Sequence, residues 1–225
     1  MAAFRTHTTF GTALGILSVI GLVFTALNSG SGFLVAVFTM ALLGSILPDL
    51  DSDSGTPFHA VFGSLSLVMG TLTFIELLKN SINDPLGMLL KVLGVVIFVW
   101  CVLGTVFKRF TRHRGMAHSI PAALLSALIA NMVAMRFSFT EQESFLLGIV
   151  IMAGYLVHLI LDELYATIHF DGTPFKPKHS LGTALKLSSR SIPMNITIYT
   201  TIIFLIVGNG SRYYELARTL LRRIT

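Results

Sequence analysis

Four histidines and three aspartates stand in short polar islands within otherwise apolar sequence, and any chemistry must turn on them. His158 and Asp162 lie four apart in Gly154-Tyr155-Leu156-Val157-His158-Leu159-Ile160-Leu161-Asp162. On a helix this spacing puts both on one face, about 6 Å apart along the axis. A histidine and a carboxylate inside an apolar helix are costly and need a partner. An imidazole nitrogen and a carboxylate oxygen aimed at one point make half of a metal site; a hydrogen-bonded pair bridging two helices is the plainer alternative.

Asp49 and Asp51 follow Pro48, where a helix should end or reorient. Two neighbouring carboxylates away from bulk water repel unless a cation lies between them; a solvated acidic loop is the alternative. The run Asp49-x-Asp51-x-Asp53 mimics the start of a calcium loop, but its sixth position is Ser54 rather than Gly and its twelfth is Ala60 rather than Glu. His113 and His118 flank Arg114-Gly115, a candidate turn, and Ser119 followed by Pro121 reads as an N-cap and helix start. His118 would then sit at the mouth of that helix. His7, alone at the start of the first apolar stretch, serves equally as an interfacial polar residue. His59, His169 and His179 fall outside these islands, and Asp53 and Glu163 are candidates for a supporting role only.

The elements that must carry these residues are membrane helices. The 225 residues are 53% hydrophobic and 12% charged, with a mean hydropathy of +0.78. A soluble domain carries about 25% charge, so a soluble enzyme, a disordered chain and a coiled coil are excluded. Apolar windows at 8–27, 33–47, 60–78, 86–107, 119–135, 145–161 and 192–208 must be helical, because lipid offers backbone groups no partner. The expectation is an all-α polytopic membrane bundle of about six to seven spans, residues 1–208, followed by a basic amphipathic tail, 209–225, in which Leu216, Leu220 and Ile224 alternate with arginines. The window 192–208 holds Asn195 and several threonines, and either spans or re-enters. Cys101 reads as a small core hydrophobe.

Strict alternation puts all the islands on the N-terminal side of the membrane. Nine lysines and arginines lie on that side and three on the other before the tail, which makes the site side cytoplasmic. Arg212, Arg218, Arg222 and Arg223 dissent if the last window spans. The pI of about 9.6 fits basic loops at anionic lipid; no basic run carries the interleaved aromatics of a nucleic-acid binder.

The ordered set Leu47-Pro48-Asp49-Leu50-Asp51, His113-Arg114-Gly115-x-x-His118-Ser119 and Gly154-Tyr155-x-x-His158-x-x-x-Asp162, with His7 ahead of it, resembles the YdjM-like family of inner-membrane, metal-dependent hydrolases. Ala117 stands where that family usually has threonine, and Thr173-Pro174-Phe175 is a displaced counterpart of its turn-and-proline stretch. The resemblance implies a divalent metal centre of one or two ions at the cytoplasmic interface of the inner membrane, held by His7, Asp49, Asp51, His113, His118, His158 and Asp162. Mixed imidazole and carboxylate donors suit zinc, manganese or iron(II), with zinc the default for hydrolysis. Metal-activated water would attack a phosphoester or acyl ester, with Asp49 or Asp51 as general base and Arg114 clamping an anionic group. Depth alone suggests a lipid or lipid-linked substrate. The rivals are an ion-coupled or metal transporter, which would need polar groups through the bilayer, and a metal-stapled structural membrane protein.

Overall fold

The computed structural model describes residues 2–24, 30–51, 56–79, 84–105, 116, 118–137, 139–167, 185–213, 215 and 218. Among them the chain is all helical: α1 (Phe4–Phe24), α2 (Ser31–Ile46), a 3-10 turn (Leu47–Asp51), α3 (Thr56–Lys79), α4 (Pro85–Ile97) with a π-wound continuation (Phe98–Leu103), α5 (Ile120–Arg136), α6 (Glu141–Thr167) and α7 (Ile192–Gly208). Among the described residues four stretches are long and apolar enough to cross a membrane, Phe4–Phe24, Ser31–Asp49, Pro85–Val102 and Glu141–Ala166, and α5 and α7 are shorter apolar helices. The protein is a membrane helix bundle. Its outward side chains include Leu17, Phe204 and Val207, the last 74% exposed, a placement that suits lipid and would be unfavourable in water.

The chain divides into two compact units, Met1–Pro48 with Arg114–Thr225, and Asp49–His113. In the second, Trp100 covers Gly63 and Phe58 covers Gly104, so α3 and α4 pack through aromatic rings laid over missing side chains.

The first unit holds α1, α2, α5, α6 and α7. In lipid no hydrophobic force drives helices together, so close approach through small residues does. Gly44 of α2 lies against the backbone of Ile151, and Gly154 of α6 against the carbonyl of Ala41; a Cβ at either position would overlap the facing backbone. One apolar cluster, Ala122, Ala123, Tyr155 and Leu159, joins α5 to α6. Another, Phe33, Val37, Ala134 and Leu147, joins α2, α5 and α6 nearer their other ends.

The course of α7 answers whether the last apolar window re-enters. The amide of Ile120, at the start of α5, donates to the carbonyl of Lys186 at 3.1 Å, while Tyr213 donates to Asn131 Oδ1 at 3.3 Å near the other end of α5. The 17 residues of α7, about 25 Å of helix, therefore run parallel to α5 and do not double back. Its polar residues are satisfied locally. Asn195 exchanges hydrogen bonds with the backbone of Ser189 at 2.8 and 2.9 Å, and Thr197 and Thr201 donate to carbonyls one turn back.

Candidate metal centre

Asp162 is the hub. It is 3% exposed on α6, one turn beyond His158, which is fully buried. Their facing atoms, Oδ2 and Nε2, are 3.7 Å apart, as the spacing of four predicts. His7, in the first turns of α1, brings Nε2 to 3.3 Å from Asp162 Oδ1 and stacks on His158, with ring centroids 3.6 Å apart and planes 14° from parallel. His118 brings Nε2 to 3.9 Å from Asp162 Oδ2. Four helix ends thus meet at one level: the starts of α1 and α5 and the ends of α2 and α6.

His118 is placed by the cap of α5. Ser119 has extended backbone and accepts from the amide of Ala122. Its hydroxyl donates to the carbonyl of Met116 at 2.5 Å. Pro121 occupies the first turn, where no amide hydrogen is missed. The chain entering α5 is thereby drawn inward, and Met116, His118 and Ser119 are all buried.

Backbone groups orient the cluster. His158 Nδ1 lies 2.7 Å from the carbonyl of Ser45 on α2. A carbonyl only accepts, so Nδ1 carries the proton, and in the neutral ring the lone pair of Nε2 faces Asp162. The amide of Ala2 donates to Asp162 Oδ1 at 2.9 Å. Asp162 Oδ2 is buried and accepts no hydrogen bond among the described residues.

These residues fit a divalent cation. Donor atoms of a tetrahedral zinc with bonds of about 2.0–2.1 Å lie about 3.4 Å from one another. The three imidazole nitrogens stand 3.3, 3.7 and 3.9 Å from the carboxylate oxygens, and one donor atom from each of His7, His158 and Asp162 lies within 4.8 Å of the others. All three separations exceed the 2.7–3.2 Å of an ordinary N–H to O hydrogen bond. Charge agrees with distance. A buried carboxylate needs a positive partner, and two imidazoles stacked at 3.6 Å would repel if both took protons. One cation shared by the set resolves both demands.

Of the seven sequence-predicted ligands, the structure brings His7, His118, His158 and Asp162 together within the first unit. Asp49 sits in the 3-10 turn that continues α2 past Pro48, at the first position of the second unit. Asp51 ends that turn; its side chain, together with His113 and Arg114, lies outside the described residues. His59 belongs to the second unit, where it stacks on Trp100, and His169 and His179 lie outside the described residues. Sequence reasoning missed the Ser45 carbonyl and the Ala2 amide. Backbone groups carry no residue signature, although Gly44, Ser45 and Gly154, small residues where helices approach closely, mark the place.

A family model described as YdjM inner membrane protein matches residues 1–221. No curated protein and no solved structure matches the chain.

Proposed function

The chain belongs to the YdjM inner membrane protein family, and we propose that it is a membrane-bound metal-dependent hydrolase whose divalent ion, zinc by donor chemistry, is held by His7, His118, His158 and Asp162 at the cytoplasmic face. The observation that carries the reading is a buried carboxylate ringed by three imidazoles at metal-donor spacing. The ion, one or a pair, would supply Lewis acidity, which acidifies water and polarises an ester.

The chain's own residues do the rest. The Ser45 carbonyl holds His158 in the tautomer that offers Nε2. The Ala2 amide engages one oxygen of Asp162 and leaves the other for the site. Burial of all four side chains excludes bulk water. Asp49, Asp51 and His113 are the further donors that the family resemblance implies, with Asp49 or Asp51 as the alternative general base and Arg114 as the group that would steady an anionic substrate. A site at the ends of apolar helices favours a phosphoester or acyl ester borne by a lipid.

Transport is the weaker reading. Within the first unit, the described ionisable side chains that are buried all lie at this one end, whereas a through-path needs polar groups along its length. The test is metal content of purified protein, wild type beside His158→Ala and Asp49→Ala, paired with phosphoester and acyl-ester turnover in detergent. Loss of metal and turnover in His158→Ala is expected. Undiminished metal in both variants removes the site. Metal without turnover of any ester leaves a structural staple.

A further inference from the structure

A second polar feature lies at the opposite end of the first unit. There α5 ends at Arg136, α6 begins at Glu141 and α7 ends at Gly208. Between these ends is a cavity of about 460 Å³, walled on one side by Met132, Met135 and Phe139 and lined by Arg136, Arg212 and Glu141. Tyr213, hydrogen-bonded to the buried Asn131, ties the segment after α7 to α5, so Arg212 is held at this rim.

The three charges are not spent on one another. Among the described residues, neither guanidinium makes an ion pair with Glu141 or any other carboxylate; the one Arg–carboxylate pair is Arg218 with Glu215. Glu143, the nearest other acid in sequence, closes a capping box with Thr140, accepting from its amide at 2.9 Å while its own amide donates to the threonine hydroxyl. Two cations and one anion therefore face the same space at the level where three apolar helices stop.

Each charge constrains the ligand. Two guanidiniums lining one cavity suit a phosphate. A simple anion would meet repulsion from Glu141, whereas a phosphodiester linked to an ammonium uses all three groups. The thioether and phenyl wall suits the glycerol and first methylenes of a lipid. We propose that this cavity seats the headgroup of a phospholipid carrying a primary ammonium, with phosphate between Arg136 and Arg212 and the N–H donors on Glu141. A trimethylated ammonium cannot donate to Glu141 and is disfavoured.

The test uses the full chain, purified in detergent and offered an equimolar mixture of ethanolamine, choline and glycerol phospholipids, with retained lipid read by native mass spectrometry. Wild type should retain the ethanolamine lipid about tenfold over the choline lipid, the worth of roughly one charge-assisted hydrogen bond. Glu141→Gln should erase that preference, and Arg136→Gln with Arg212→Gln should abolish retention of all three. Lys91→Gln, on α4, should change nothing. Folding is checked by circular dichroism and gel filtration, and Glu141→Gln, at an exposed position, supplies a readout of selectivity that does not depend on the arginine pair. Retention unaltered by either set of variants overturns the proposal. So does displacement of the lipid by matched inorganic phosphate or soluble phosphoethanolamine, which would make the ligand a free anion.

Discussion

Replacing Gly154 by alanine tests how backbone approach governs the metal centre without touching a ligand. A Cβ there would overlap the Ala41 carbonyl oxygen and lie 3.1 Å from the Ser45 amide nitrogen and 3.2 Å from the Ala41 carbonyl carbon, against 3.4–4 Å for ordinary contact. The atoms met are backbone and cannot rotate away, so α2 and α6 must part by on the order of 1 Å. The bond from His158 Nδ1 to the Ser45 carbonyl, now 2.7 Å, would stretch beyond hydrogen-bonding range. His158 then loses the partner that fixes its tautomer, a loss that typically costs about 10–100-fold in metal affinity. Overpacking also costs about 1–3 kcal/mol of stability. Gly148→Ala is the control, since its Cβ would meet the Ala127 carbonyl oxygen at 2.7 Å and strain the α5–α6 contact about 15 Å of helix from His158. Chelator-buffered zinc titrations of both variants, alongside thermal melts, decide the matter. Weakened zinc binding in Gly154→Ala alone, with both variants comparably destabilised, is expected. Equal zinc affinity in Gly154→Ala and wild type refutes the reasoning, as does equal weakening in Gly148→Ala.

Three further outcomes follow from the same geometry. Asp162→Asn keeps the shape but removes the charge that a cation would balance, so chelation should lower the melting temperature of wild type and leave the variant unmoved; an equal shift in both would count against a metal bound at Asp162. Ser119→Ala removes the cap of α5 and should cost about 1 kcal/mol, with metal affinity falling because His118 precedes the cap; thermal melts and the zinc titration read both. Burial holds the Tyr213 phenol above its ordinary 10.0 despite the pull of Arg212. The stability owed to the neutral phenol is thus present below pH 10 and lost as pH rises through the raised value, so melts from pH 8 to 11 should show an alkaline decline that is smaller in Tyr213→Phe.

What the sequence determined by itself is whatever depends on neighbours within a few residues. Apolar length and scarce charge dictated membrane helices, because unsatisfied backbone is intolerable in lipid. Spacing alone placed His158 and Asp162 on one face. Ser119 and Pro121 announced the start of α5, and Pro48 the end of α2. Tertiary structure decided the rest. His7, an unremarkable residue in its own stretch, stacks on His158 because α1 packs beside α2 and α6. The Ser45 carbonyl became the orienting group because glycines let two backbones touch. Whether Asn195 marked a re-entrant turn or a helix depended on the backbone it would reach, and the cavity at Arg136, Glu141 and Arg212 joins positions separated by up to 76 residues. Helical periodicity and capping are local and can be read along the chain. Convergence of helix ends is a sum of close contacts between distant segments, and no single stretch encodes it.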